Sequence, residues 1–125
     1  MWLNLALLAV AGAIGTLARY GLSVCIKHAF PSAFPWPTFT VNMLGCFLFG
    51  LVVALFDARA DWNPHTKLVL LTGFMGAFTT FSTFAFETSA LAREGQLSLA
   101  IANVVSQNVI GVLALFLGVI AGRSV

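Results

Sequence analysis

Charged residues divide this chain into four long apolar runs, at about residues 2–25, 38–56, 68–92 and 98–121. Each holds roughly 19 to 25 residues, and about 20 are needed to cross a 30 Å hydrocarbon core. In lipid every backbone amide and carbonyl must find a partner within the protein, so such runs are either helices or strands of a closed barrel. The strict alternation of a barrel strand is missing. The expectation is an all-α integral membrane protein with four transmembrane helices in one domain spanning residues 1–125. Composition narrows it further: 60% of the residues are apolar and only 8% are charged, against about 25% charged in a soluble domain. That excludes a water-soluble domain and a disordered tail. Ten scattered charges with a net of +2 make no basic stripe, which excludes a nucleic-acid binder. With almost no mass outside the bilayer there is no room for a catalytic domain, so the function lies inside the membrane.

The span ends carry their own signals. Trp2, Trp36 and Trp62 fall where an interfacial aromatic belt would lie. The first basic residue, Arg19, follows the opening apolar run, the wrong order for a secretory signal, so that run is expected to stay in the mature protein. An even number of spans puts both termini on one face. Arg59, Lys67 and Arg123 fall on that face, and Arg19, Lys27 and Arg93 on the other. Such a balance gives the positive-inside rule nothing to choose with, and two opposed copies can pair about a twofold axis in the membrane plane. Ala11/Gly15, Gly12/Thr16 and Ala114/Gly118/Gly122 are small residues at four-residue spacing, which let helices approach closely in lipid. Cys25 and Cys46 sit in apolar stretches and read as small buried hydrophobes. His28 and His65 read as solvated loop residues.

The informative residues are the polar ones inside the spans. Arg19 lies about 24 Å along the first span at 1.5 Å per residue, either snorkelling to the interface or supplying a fixed cation in a wet vestibule. Asn42, at similar depth on the second span, is either interhelical glue or an N–H donor for an anion. The third span reads Gly73-Phe-Met-Gly76-Ala-Phe78-Thr79-Thr80-Phe81-Ser82-Thr83-Phe84-Ala-Phe86-Glu87. Two glycines followed by two threonines near its middle predict a break in the helix near the bilayer midplane, where freed carbonyls could converge on a cation. Phe78, Phe81 and Phe84 recur every three residues, which would place them on one face. Interleaved with Thr80, Ser82 and Thr83, their positive ring edges suit a small anion. Glu87 reads as an interfacial acid reaching water. In the last span Asn103, Ser106 and Gln107 share a face, with Asn108 beside them, forming either glue or a wet track.

GAIGTLARY (Gly12 to Tyr20), TFTVNMLGCFLFG (Thr38 to Gly50) and GFMGAFTTFSTFAFE (Gly73 to Glu87) together resemble the Fluc (CrcB-type) fluoride channel family. The likeness covers nearly the whole chain, and the third motif is the most specific. It implies an antiparallel, dual-topology homodimer in a prokaryotic cell membrane, exporting fluoride passively through two pathways and lowering its toxicity. It also implies that the ring edges of Phe81 and Phe84 line each pathway, with Asn42 hydrogen-bonding fluoride beside them and Arg19 at the vestibule. Thr80, Ser82 and Thr83 match hydroxyl positions of the motif. The backbone carbonyls of Gly76 and Thr79 from both copies would hold one structural sodium ion. Where many relatives carry a tyrosine and a serine four residues apart, this chain has Asn103 and Gln107. The rival reading is a proton-coupled exporter resembling small multidrug-resistance proteins. That mechanism needs a mid-membrane carboxylate, and the first span offers none.

Overall fold

The computed structural model describes residues 2–58 and 63–124; the expectations for Arg59 and Trp62 lie outside them. Among the described residues every regular element is helical. They are α1 (Trp2–Ala29), α2 (Trp36–Ala58), α3 (Pro64–Leu68), a π-helical stretch Val69–Met75, α4 (Gly76–Phe78), α5 (Phe81–Arg93) and α6 (Leu97–Arg123). α3 through α5 form one membrane-crossing unit, Pro64–Arg93, so four segments are long and apolar enough to span a bilayer. Trp2 and Trp36 each begin a helix.

Local chemistry sets the ends. Asn63 caps α3 by accepting the His65 amide at 2.9 Å, with Pro64 in the first turn. α5 stops at Gly95, whose φ of +77° is the left-handed conformation open to glycine. There the Gln96 amide donates to the Leu91 carbonyl and the Gly95 amide to that of Ala92. Between α1 and α2 the chain turns through a proline-rich loop. Phe34 packs on Trp36 at 4.7 Å between ring centroids, and Phe39 meets Trp36 edge-on at 5.6 Å.

α2 and α6 share the most extensive interface. Contacts pair Asn42 with Gln107, Phe47 with Gly118 and Ala54 with Gly122, so the two helices run parallel. A β-carbon on Gly118 would fall onto the Phe47 carbonyl oxygen, and one on Gly50 onto that of Leu115. The small residues of α1 meet the third span in the same way: Gly15 lies against the Phe74 carbonyl. Leucines, valines and isoleucines on α1 and α6 point outward, as a surface facing lipid requires.

Three expectations are corrected. Cys25 is exposed on α1, because that helix contacts its neighbours along a narrow seam centred on Ala11 and Gly15. His28 and His65 are exposed, as expected, but belong to the last turn of α1 and to α3 rather than to loops, and His65 Nδ1 lies 3.2 Å from Asn4 Nδ2. Phe78 does not share a face with Phe81 and Phe84. The helix breaks between them, and Phe78 stacks on Phe74 in the core, centroids 5.7 Å apart.

Candidate functional site: an amide-lined cavity at the helix break

The break consists of Thr79 and Thr80, both extended (φ −81°, ψ 158° and φ −148°, ψ 108°). It lies near the middle of the Pro64–Arg93 unit, where the glycine–threonine sequence predicts it. An interrupted helix leaves backbone groups that lipid cannot satisfy, and Asn42 takes up two of them. Its Oδ1 accepts the Thr80 amide at 2.9 Å, and its Nδ2 donates to the Thr80 carbonyl at 3.2 Å. α5 then restarts on Thr80, whose Oγ1 accepts the Thr83 amide and donates to Thr83 Oγ1 at 2.8 Å.

These bonds also determine what happens at the carbonyls of Gly76 and Thr79. In an unbroken helix the Thr80 amide would close onto Gly76 and the Thr83 amide onto Thr79. Both amides are diverted, one to Asn42 and the other to the Thr80 hydroxyl. Neutral oxygens relieved of their helical donors suit a hard cation.

Beside the break is a cavity of about 360 Å³. Asn42, Thr80, Phe81 and Phe84 line it together with Gln107, Asn108 and Cys46. The Phe81 and Phe84 rings are 5.4 Å apart and inclined at 55°. Their environments differ: Phe84 is 8% exposed and Phe81 is 78% exposed, so one ring forms the wall and the other lies open on the surface of the chain. Ser82 is exposed in the first turn of α5.

A second cavity of about 870 Å³ lies at the end of the bundle near the proline-rich loop, lined by Lys27, Thr83, Glu87 and Glu94 among others. Arg19 lines neither cavity, and Lys27 is the cation at the second. Glu87 does not reach out to water. Thr38 Oγ1 donates to its Oε1 at 2.8 Å, and its Oε2 is buried with no partner among the described residues.

A chain of side-chain amides leads away from Asn42. Asn42 Nδ2 donates to Gln107 Oε1 at 2.7 Å, and Gln107 Nε2 donates to Asn103 Oδ1 at 3.0 Å. Asn103 Nδ2 then donates to Thr88 Oγ1 at 2.9 Å, and Thr88 Oγ1 to the Phe84 carbonyl at 2.8 Å. Asn103 is fully buried and Gln107 nearly so; each group satisfies the next, as buried polar groups must. The four-residue spacing of Asn103 and Gln107 puts them on one face of α6. Their partners Asn42 and Thr88 come from other spans, and Thr88 carries no signal in the sequence beyond a hydroxyl within a span.

Comparison with known proteins gives a consistent picture. Residues 6–119 match the family model described as "CrcB-like protein, Camphor Resistance (CrcB)". A protein of Nitrosococcus oceani named "Fluoride-specific ion channel FluC" is 49% identical over 118 residues, covering 94% of each chain. Proteins of the same name from Nitratidesulfovibrio vulgaris and Solidesulfovibrio magneticus are 47% and 48% identical, covering 98% and 96% of each chain respectively.

Proposed function

The chain belongs to the CrcB family, and from that premise we propose that it is a passive, fluoride-selective channel that exports fluoride across a prokaryotic cell membrane. The observation that carries this reading is the cavity at the helix break, which brings an amide, a hydroxyl and two aromatic rings together inside a membrane-spanning bundle. Fluoride is small and strongly hydrated, so a conducting path must replace the water it gives up. In this reading Asn42 and the hydroxyls of Thr80, Ser82 and Thr83 supply hydrogen-bond donors, Asn42 and Thr80 by exchanging a partner that they hold within the chain. Phe81 and Phe84 supply positive ring edges, and Arg19 supplies positive potential towards one mouth.

The working unit in this proposal is an antiparallel, dual-topology homodimer. The exposed ring of Phe81 supports it, since a second copy on that face would turn an open groove into an enclosed path. The carbonyls of Gly76 and Thr79 from both copies would hold a structural sodium ion, and the diversion of their helical donors supports that assignment. Bound there, the ion would balance the partial negative charge of the freed carbonyls. The position of Glu87 does not favour a proton-coupled exporter, which needs its acid at mid-membrane: the residue lies about two turns beyond the break in α5.

The test is anion efflux from liposomes containing only the purified protein. Fluoride leaves, chloride stays, and an imposed proton gradient changes nothing. No fluoride efflux above that of empty liposomes overturns the reading.

A further inference from the structure

Asn42 has two N–H groups, and both are spent: Nδ2 donates to the Thr80 carbonyl and to Gln107 Oε1. An anion in the cavity is therefore faced by a donor already occupied and by an amide oxygen that repels it. Of the two bonds, the 3.2 Å bond to Thr80 belongs to the clamp that holds the break. The 2.7 Å bond to Gln107 is the one that a rotation can exchange.

We propose that the chain Asn42–Gln107–Asn103–Thr88 has two hydrogen-bond polarities, and that an anion selects the one in which Gln107 turns its NH2 group towards Asn42. A side-chain amide rotated by 180° occupies nearly the same space with donor and acceptor exchanged. If Gln107 turns, its Oε1 faces Asn103. Asn103 turns in step, donating from Nδ2 to that oxygen and offering its Oδ1 to Thr88. Thr88 completes the reversal, because a hydroxyl can donate or accept: it stops donating to the Phe84 carbonyl and donates to Asn103 Oδ1. The Phe84 carbonyl keeps the backbone amide four residues on within α5.

Counting bonds shows why an anion is needed. The observed polarity has four, from Asn42 to Gln107, Gln107 to Asn103, Asn103 to Thr88 and Thr88 to Phe84. The reversed polarity keeps two, and leaves the NH2 groups of Gln107 and Asn42 facing each other with no acceptor between them. An anion beside them on the cavity side, with the two amide groups moved slightly apart, accepts from both and restores the count to four. Ligand and polarity thus select each other, as in any population shift. Chloride, larger and a weaker acceptor, offsets the two lost bonds less well, so the switch also favours the smaller halide. Gln107 becomes a direct anion donor, and Asn103 and Thr88 are positioning residues behind it.

The inference rests on the channel reading, and its test separates the two. With the glutamine side chains labelled with 15N, the Gln107 NH2 protons should shift downfield as sodium fluoride is titrated into the purified protein, and stay in place with sodium chloride. Gln107→Met, which removes donor and acceptor with little change in volume, should lower fluoride efflux at least about ten-fold while the protein elutes as an intact dimer. Gln107→Glu, which retains an acceptor for Asn42 but has no N–H to turn, should conduct as poorly. A Gln107 signal indifferent to fluoride in a wild-type protein that conducts it overturns the switch and leaves the channel standing. So does undiminished efflux through Gln107→Met. A wild-type protein that passes no fluoride removes the channel reading itself.

Discussion

The α2–α6 pair is built on opposite principles at its two ends. Around Gly50, Gly118 and Gly122 the helices touch backbone to backbone, with no space for even a methyl group at Gly50 or Gly118. Around Asn42, Gln107 and Asn103 the same two helices are held by side-chain amides beside a cavity. The first end has one arrangement only, because close packing has no alternative contact to exchange. The second is made of hydrogen bonds, each of which can be traded for another of similar strength. A rigid seam next to an exchangeable one is what a selective path in lipid needs: the scaffold stays fixed while the lining gives and takes donors.

The sharpest challenge to the comparison is to spoil the rigid end. Gly118→Val would place a side chain on the Phe47 carbonyl and should yield no monodisperse protein by gel filtration, since backbone overlap cannot be relieved by a rotamer. Gly21, on α1 with open space around its missing β-carbon, is the matching control.

The next largest effect concerns the rings. Phe81→Ala should abolish fluoride efflux with little change in the thermal stability of the single chain, because the 78% exposed ring holds little of the chain's own fold. Phe84→Ala should also abolish efflux. In this case thermal melting in detergent should show a loss of stability as well, since the ring is buried and Phe→Ala changes in cores typically cost about 3–5 kcal/mol.

A smaller loss is expected at the clamp. Asn42→Asp keeps an acceptor for the Thr80 amide but loses the donors to the Thr80 carbonyl and Gln107. A carboxylate oxygen in place of the NH2 group faces the Thr80 carbonyl and carries a charge that repels the anion, so fluoride efflux should fall by at least about thirty-fold and the melting temperature by several degrees. The smallest effect is Gly21→Ala, which should leave efflux unchanged and raise stability by up to about 1 kcal/mol through helix propensity alone. If Gly21→Ala were as damaging as Gly118→Val, close approach would not be what distinguishes the rigid seam.

The residues differ in how much of their role the sequence discloses. The break at Thr79–Thr80 is legible because glycine and threonine disfavour a continuous helix locally, with no help from tertiary contacts. The Phe81–Phe84 pair is legible from its three-residue spacing, whereas the inclusion of Phe78 fails because the break interrupts the periodicity that spacing assumes. Asn42 reads as either glue or anion donor, and the geometry makes it glue first, with both donors engaged. The placement of Glu87 at the membrane edge is drawn from its distance to the span end. That distance says nothing of Thr38, which lies on another helix and takes one of its oxygens.

What the sequence determined by itself is the class of molecule and its punctuation. Four apolar runs of membrane-crossing length, small residues at helical spacing, and a helix that must break at two threonines all follow from local propensities and from the demand of lipid that backbone groups be paired. Only the tertiary structure decided which polar groups meet. Asn42, Thr80, Thr88, Asn103 and Gln107 come from three different spans, and the direction of each hydrogen bond between them depends on the neighbour's orientation. A one-dimensional pattern records which side chains can donate and accept; it does not record which of them face one another across a packed interface.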